Sequence, residues 1–219
     1  MIRSLTRPRA VLLDWDNTLV DSWATIADAL NLTLATFGHA PWTKDEVKTR
    51  VRKSMRDSFP KLFGDQWEAA GRVFYERYNR IHVEKLTPIA GAAEAIAELA
   101  GAGIYLAVIS NKKGEFLRRE AEHLGWARHF GRLVGALDAA RDKPASDPVL
   151  LALEGSGIAP GADVWIAGDA DIDLECARNA GCVPILVREH PPEAGEFPSH
   201  PPARHFADCG ALSKALESL

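Results

Sequence analysis

Apolar and polar positions follow two different periods along this chain. Compact apolar runs bounded by glycine or polar turn residues predict buried strands; they occupy residues 10–14, 103–110, 162–168 and 182–187. Helical periodicity begins between these runs, at Gly114, Asp147 and Asp171. The proline-rich segment 188–202 predicts a surface loop before a last strand and helix. Because strands that alternate with helices are typical of parallel sheets, we predict an α/β fold built on a parallel sheet.

One interval breaks this alternation. A strand-helix-strand unit takes about 30 residues, but the stretch from Asp14 to the next strand end at Ser110 is much longer. Within it, apolar residues recur every three or four positions, as on amphipathic helices: Trp23, Ile26, Leu30, Leu34 and Phe37, then Trp67, Ala70, Phe74, Tyr78 and Ile81. Thr43 and Glu46 have the spacing of a helix capping box. We therefore predict that residues 20–86 form a helical subdomain inserted into a core of residues 1–19 and 87–219.

Composition excludes some classes of partner. A net charge of −4 over 219 residues, without a long block of like charge, gives no reason to expect nucleic acid or a membrane surface. A small molecule is the expected partner, and the oligomeric state stays open. The apolar run that follows the basic N-terminus is interrupted by acids, unlike a signal peptide or a membrane span, so we expect a cytoplasmic location. The three cysteines lack C-x-x-C spacing, which argues against a disulfide framework or a zinc site.

Two acids stand in the apolar run VLLDWDNTLV at residues 11–20. Burying a carboxylate is costly, and an Asx turn with both acids in water is the simplest explanation. Side chains alternate along extended backbone, however, so Asp14 and Asp16 are expected to point the same way and Trp15 the other way. Two carboxylates that face one crevice repel each other unless a cation or a proton lies between them. The pair therefore suggests a cation site.

Further polar residues follow other predicted strands. Ser110 and Asn111 end one strand, Lys143 precedes a helix, and Asp169 and Asp173 follow a third strand. Ligands of open α/β sheets bind at this edge of the sheet. Clustered carboxylates suit Mg²⁺, which takes oxygen ligands and leaves positions for phosphate and water. With Lys143 and the hydroxyl groups of Thr18 and Ser110 as phosphate-binding groups, the set indicates phosphoryl transfer.

These stretches together resemble the signatures of the haloacid dehalogenase superfamily. The D-x-D-x-T sequence lies at 14–18, the serine at 110, the lysine at 143, and G-D-x-x-x-D at 168–173, in the order of that superfamily. The similarity is greatest to its phosphatase branch, and within that branch to phosphoglycolate phosphatases with a helical cap. It implies a Rossmann-like core, an inserted cap that closes over the site, Mg²⁺ as cofactor and a small phosphorylated metabolite as substrate.

The resemblance also implies a role for each matched residue. Asp14 would be the nucleophile that forms an aspartyl-phosphate, and Asp16 the general acid and base. Thr18, Ser110 and Asn111 would bind the transferring phosphoryl group, and Lys143 would neutralise charge and steady the nucleophile. Mg²⁺ would be held by a carboxylate of Asp14, the backbone carbonyl of Asp16 and the carboxylate of Asp169, with Asp173 in support. Members that act on halides usually lack an acid at the position of Asp16, which favours a phosphatase.

Several alternatives stay open at this point. The phosphate monoester could be 2-phosphoglycolate, a phosphosugar or a nucleoside monophosphate. A mutase of the β-phosphoglucomutase type shares the signatures and the cap. A receiver-like signalling module also phosphorylates an aspartate on a doubly wound sheet, but it needs neither Asp16 as an acid nor an inserted cap. In the cap, the basic stretch 48–56 offers Arg52 or Lys53 as a contact for a substrate anion, although most charges on a helix face only water.

Overall fold

A computed structural model describes residues 5–51 and 53–217. In this part of the chain the strands of the main sheet are β1 (Ala10–Leu13), β4 (Tyr105–Lys113), β5 (Arg132–Ala136), β6 (Val164–Gly168), β7 (Val183–Val187) and β8 (Arg204–Phe206). Their order across the sheet is β5-β4-β1-β6-β7-β8, and every neighbouring pair is parallel. All residues of β1 and β6 are buried, as expected for a parallel sheet covered on both faces. The α/β fold predicted from the sequence is confirmed.

The described chain divides into two compact units. The larger unit runs up to Val20 and resumes at Pro88, and the smaller unit spans Asp21–Thr87. The chain leaves the larger unit through β2 (Val20–Asp21) and returns to it through β3 (Thr87–Pro88). These two strands form a separate two-stranded sheet.

The larger unit covers its sheet with helices. They are α5 (Ala92–Gly101), α6 (Gly114–His123), α7 (Asp147–Leu153), α8 (Asp171–Asn179) and α9 (Cys209–Glu217). One apolar cluster joins Leu12, Ile109 and Ile166 of the sheet to Val149 of α7 and Ala177 of α8. Helices α6, α7 and α8 begin at the residues that the periodicity predicted, and Ser146 precedes α7 as its N-cap residue.

The smaller unit is helical. Its helices are α1 (Trp23–Thr36), α2 (Lys44–Arg50), α3 (Met55–Phe63) and α4 (Trp67–Ile81), with a 3₁₀ turn at Gly64–Gln66. The predicted capping box of α2 is present: Glu46 N–H donates to the Thr43 hydroxyl, and Thr43 N–H donates to the Glu46 carboxylate. A core of Leu30, Leu34, Val47, Phe59, Phe63 and Ala70 holds the helices together.

Two strands differ from the sequence prediction. Strand β5 was not predicted, and β4 continues to Lys113 rather than ending at Ser110, with a register shift against β5 between Ile109 and Lys113. An irregularity of this kind redirects side chains locally, as a β-bulge does. No helix in the described part of the chain combines the length and the apolar character that a membrane crossing requires.

Candidate active site

The candidate site lies at the carboxyl end of β1. This strand has β4 on one side and β6 on the other, so the chain connections diverge at its end. Open α/β sheets bind ligands at such a switch point. Asp14 follows the strand directly, and its N–H donates to the Ala167 carbonyl at 2.8 Å. The turn after it places Asn17 at φ 63°, a left-handed conformation that asparagine tolerates better than most residues.

Lys143 lies between two acids, one directly after β1 and one in the first turn of α8. Its Nζ is 2.7 Å from Asp14 Oδ1 and 2.6 Å from Asp173 Oδ1, and all three side chains are buried. Burial alone would lower the pKa of Lys143, but Asp14 and Asp173 raise it above its ordinary value. The lysine is therefore a fixed positive charge at this position.

Asp14 has an unusual pKa for an aspartate. Burial is the main cause and raises the pKa to about 7 from 3.8, while the Lys143 ammonium opposes the shift and the charges of Asp173 and Asp16 add to it. A second cation beside Asp14, in addition to Lys143, would favour the ionised form of its carboxyl group. The site therefore suits a group of positive charge close to this carboxylate.

Asp173 is positioned by the start of α8. Its Oδ2 accepts the N–H of Ala170 at 3.1 Å, and its Oδ1 faces Lys143. Gly168 at the end of β6 makes room for it, since a Cβ there would come within 2.2 Å of the Asp173 carboxyl carbon. A larger residue at 168 would displace the carboxylate.

Three carboxylates are grouped closely enough to hold a metal ion. Asp14, Asp169 and Asp173 each offer an oxygen, and these oxygens lie within 4.8 Å of one another. An all-oxygen donor set of partly and fully buried carboxylates fits Mg²⁺, a hard cation that prefers oxygen ligands. The residues present therefore fit the expected cofactor.

Asp16 is not one of these three acids, and its side chain contacts Lys112. Its Oδ1 is 2.6 Å from Lys112 Nζ, and its side chain is 19% exposed. Thr18, two residues later, is buried, and its hydroxyl has no hydrogen-bond partner among the described residues. A buried hydroxyl without a partner is uncommon in proteins and is available to a ligand oxygen.

Ser110 and Asn111 lie within the bulged end of β4. The Ser110 hydroxyl accepts the N–H of Lys112 at 3.1 Å. Asn111 Nδ2 donates to the Lys143 carbonyl at 3.1 Å, which ties the β4 end to the lysine loop. The structure thus connects Asn111 to the lysine of the Asp14 site.

Lys112 and Glu120 were not among the residues predicted from the sequence. Lys112 Nζ contacts Glu120 Oε2 at 2.5 Å as well as Asp16, and Trp15 Nε1 donates to the same Glu120 oxygen at 2.7 Å. The sequence does contain a signal for Glu120, because helical spacing places it on the same face of α6 as Phe116 and Leu117. That face is buried in the structure. In the smaller unit, Arg52 lies outside the described residues, and Lys53 is exposed.

Comparison with known proteins identifies the family of this chain. Residues 11–187 match the model of the haloacid dehalogenase-like hydrolase family. A phosphoglycolate phosphatase from Aquifex aeolicus is 32% identical over 180 residues, which cover 82% of this chain and 84% of the relative. An N-acetylmuramic acid 6-phosphate phosphatase from Pseudomonas aeruginosa is 30% identical over 187 residues, which cover 83% of this chain and 82% of the relative.

A solved structure supports the fold. A protein from Bacteroides fragilis, described as a haloacid dehalogenase-like hydrolase, superimposes with a TM-score of 0.86 over 94% of this chain and 99% of its own. Its sequence is 24% identical, so this likeness concerns the fold alone.

Proposed function

The chain belongs to the haloacid dehalogenase-like hydrolase family, and we propose that its Asp14 site hydrolyses a small phosphate monoester through an aspartyl-phosphate. The observation that carries the proposal is the buried Asp14 carboxylate, which shares one ammonium group with Asp173 at a strand end where three acids converge. A nucleophilic carboxylate needs a fixed orientation and nearby positive charge, and both are supplied here.

In the first step, an Asp14 oxygen attacks phosphorus and the bond from phosphorus to the ester oxygen breaks. Lys143 occupies Oδ1, so Oδ2 is the oxygen that attacks. Asp16 in its protonated form donates to the departing alkoxide, which leaves as an alcohol. The Thr18 and Ser110 hydroxyl groups and the N–H of Asn111 bind the phosphoryl oxygens.

In the second step, Asp16 accepts a proton from a water molecule that attacks the phosphorus of the aspartyl-phosphate. The bond from phosphorus to the Asp14 oxygen breaks, phosphate leaves, and the carboxylate is restored. Splitting one displacement into two easier ones is the advantage of a covalent intermediate. Lys143 keeps Asp14 in place through both steps.

Mg²⁺ would be held by Asp14, the backbone carbonyl of Asp16 and Asp169, with Asp173 as a supporting carboxylate. When bound, it supplies a Lewis acid that neutralises charge on the phosphoryl oxygens. We also propose the division into a catalytic core of residues 1–19 and 87–219 and a helical cap of residues 20–86. A cytoplasmic location belongs to the same proposal.

The first substrate to test is 2-phosphoglycolate. Relatives of similar identity carry the names of two different phosphatases, so sequence similarity alone does not choose between a phosphorylated hydroxy acid and a phosphosugar. A nucleoside monophosphate completes the set of candidates. A mutase of the β-phosphoglucomutase type is the alternative reaction, and it would convert one sugar phosphate into another without releasing phosphate.

The test is a panel of these esters and p-nitrophenyl phosphate with Mg²⁺, in which released inorganic phosphate and isomerised sugar phosphate are both measured. We expect phosphate from at least one ester, and loss of that release in Asp14→Asn. Turnover by Asp14→Asn at the wild-type rate would contradict the nucleophile. Isomerisation without phosphate release would favour the mutase.

A further inference from the structure

A buried charged network extends from the candidate site into the core of the larger unit. Lys112 Nζ lies between two carboxylates, 2.6 Å from Asp16 Oδ1 and 2.5 Å from Glu120 Oε2. Trp15 Nε1 donates to that same Glu120 oxygen at 2.7 Å. The Glu120 side chain is fully buried and the Lys112 side chain is 4% exposed. None of these contacts is part of the function proposed above.

Burying this glutamate is unfavourable unless it is paired and hydrogen-bonded. Lys112 and Trp15 satisfy it, and three structural elements thereby fix one ammonium group: the end of β4, helix α6 and the turn after β1. A lysine on a flexible stem is normally a poor positioning group. Here Glu120 restrains its Nζ, so the ammonium group that forms the ion pair with Asp16 Oδ1 has a defined position.

We propose that Lys112, held by Glu120 and Trp15, is a positioning residue that orients the Asp16 carboxyl group for proton transfer. This inference rests on the acid and base role proposed for Asp16. General acid catalysis requires the acid within hydrogen-bond reach of the leaving oxygen. Lys112 restrains one carboxyl oxygen of Asp16, which leaves the other oxygen to exchange protons with the alkoxide and then with water.

This role has a consequence that a purely structural pair would not have. An alkyl phosphate needs a proton on its leaving oxygen, whereas p-nitrophenolate leaves readily without one. Loss of the Lys112 contact should therefore slow the alkyl ester more than the aryl ester. Substrate binding depends on other groups, so KM should change little.

The experiment uses Lys112→Met/Glu120→Gln. Lys112→Met alone leaves Glu120 buried without its cation and is expected to lower the unfolding temperature, which would mix two effects. The double variant removes both charges, and the glutamine oxygen can still accept the Trp15 N–H. It separates the packing of the network from its effect on Asp16.

For the double variant we expect an unfolding temperature closer to wild type than that of Lys112→Met. We expect kcat for the alkyl phosphate to fall about 10-fold or more, the range seen when supporting partners of catalytic groups are removed. The fall for p-nitrophenyl phosphate in single-turnover assays should be clearly smaller. Arg132→Met/Glu154→Gln is the matched control. It removes an exposed ion pair at the start of β5, whereas the candidate site lies at the carboxyl ends of the strands, and it should leave both rates unchanged.

Two results would overturn the inference. One is a double variant that regains alkyl phosphate turnover along with stability, which would make the network structural only. The other is an equal fall for both esters, which would exclude an effect through proton transfer. If wild type itself released no phosphate from either ester, the proposed function would fail and this assignment with it.

Discussion

Lys143 and Asp14 are 129 residues apart in the sequence, yet Lys143 Nζ lies 2.7 Å from Asp14 Oδ1 in the interior of the protein. The same ammonium group contacts Asp173, so a single cation separates an acid that follows β1 from an acid in the first turn of α8, the helix after β6. Without it, the two carboxylates would face each other in a poorly solvated place, where like charges repel strongly. Lys143 is thus both an electrostatic and a structural element of the site.

Lys143→Met should therefore impair activity and folding together. We expect kcat to fall by on the order of 10²-fold or more, as on removal of a preorganised electrostatic group. We expect the free energy of unfolding to fall by about 3 kcal/mol, because breaking a buried ion pair leaves uncompensated charge. Phosphate release and urea unfolding measure the two effects. Lys214→Met, which changes an exposed lysine of α9, is the control and should change neither quantity.

Asp14 should make the stability of the metal-free protein depend on pH. Burial raises its pKa to about 7 from 3.8, so between these values the folded protein keeps a proton that the unfolded chain has released. Its contribution to stability therefore falls as the pH rises from about 4 to about 7 and then stays constant. Asp14→Asn cannot ionise, so in urea unfolding with EDTA the stability of the variant relative to wild type should rise from about pH 4 to about pH 7 and then stay constant. Parallel curves for the two proteins would contradict this.

Mg²⁺ should stabilise the folded protein through the acid cluster. A ligand that binds only the folded state raises its stability by about 2.7 kcal/mol at 100 times the dissociation constant. We expect thermal unfolding of wild type to shift upward with Mg²⁺ and to return on addition of EDTA. Asp169→Asn should lose most of this shift, because it removes one of the three clustered carboxylates.

Asp171→Asn is the matched control for that experiment. Asp171 is an exposed acid two residues from Asp169, and its Oδ1 accepts the N–H of Ile172 at 3.0 Å rather than joining the cluster. Its variant should keep the full Mg²⁺ shift. Equal loss in both variants would indicate general screening of acidic charge instead of a site at Asp169.

Much of the sheet could be predicted from local sequence, because its central strands are continuous apolar runs. Strand β5 could not: Arg132 is exposed, Gly135 interrupts the run, and pairing with β4 makes it a strand. The overrun of β4 past Ser110 has a similar cause, since a bulge depends on the neighbouring strand. Local patterns therefore identify strands that are buried on both sides and miss those that depend on a partner.

The residues of the candidate site also fall into those that the sequence predicts and those that it does not. Asp14, Asp169 and Asp173 could be expected at one edge, because the carboxyl ends of parallel strands meet there. The network beside Asp16 could not, because a lysine at a strand end and a glutamate on a helix are each usually solvent-exposed. Their burial depends on contacts that form in the folded chain, those of Lys112 with Glu120 and Asp16 and that of Trp15 with Glu120.

In the smaller unit, Asp28 should stabilise the helices above pH 4. Arg77 donates to both of its carboxylate oxygens, at 2.7 and 3.0 Å, and Lys85 Nζ is 2.7 Å from one of them. The hydrogen bond from Arg77 is the main cause that lowers the pKa of Asp28 to about 2 from 3.8. Because the folded pKa is the lower one, this contribution is complete above pH 4 and is lost as the pH falls through about 2.

Asp28→Asn should lower the free energy of unfolding by about 1 kcal/mol at pH 7, a value limited by partial exposure to solvent. The difference from wild type should shrink as the pH approaches 2, where Asp28 is protonated in both states. Glu76→Gln is the matched control, because its pair with Arg80 on the same helix is two-thirds exposed and should contribute little. Urea unfolding at pH 7 and pH 3 measures both variants. A loss in Asp28→Asn that matched the loss in Glu76→Gln would show that the bidentate geometry adds no stability, since geometry and burial are what distinguish the two pairs.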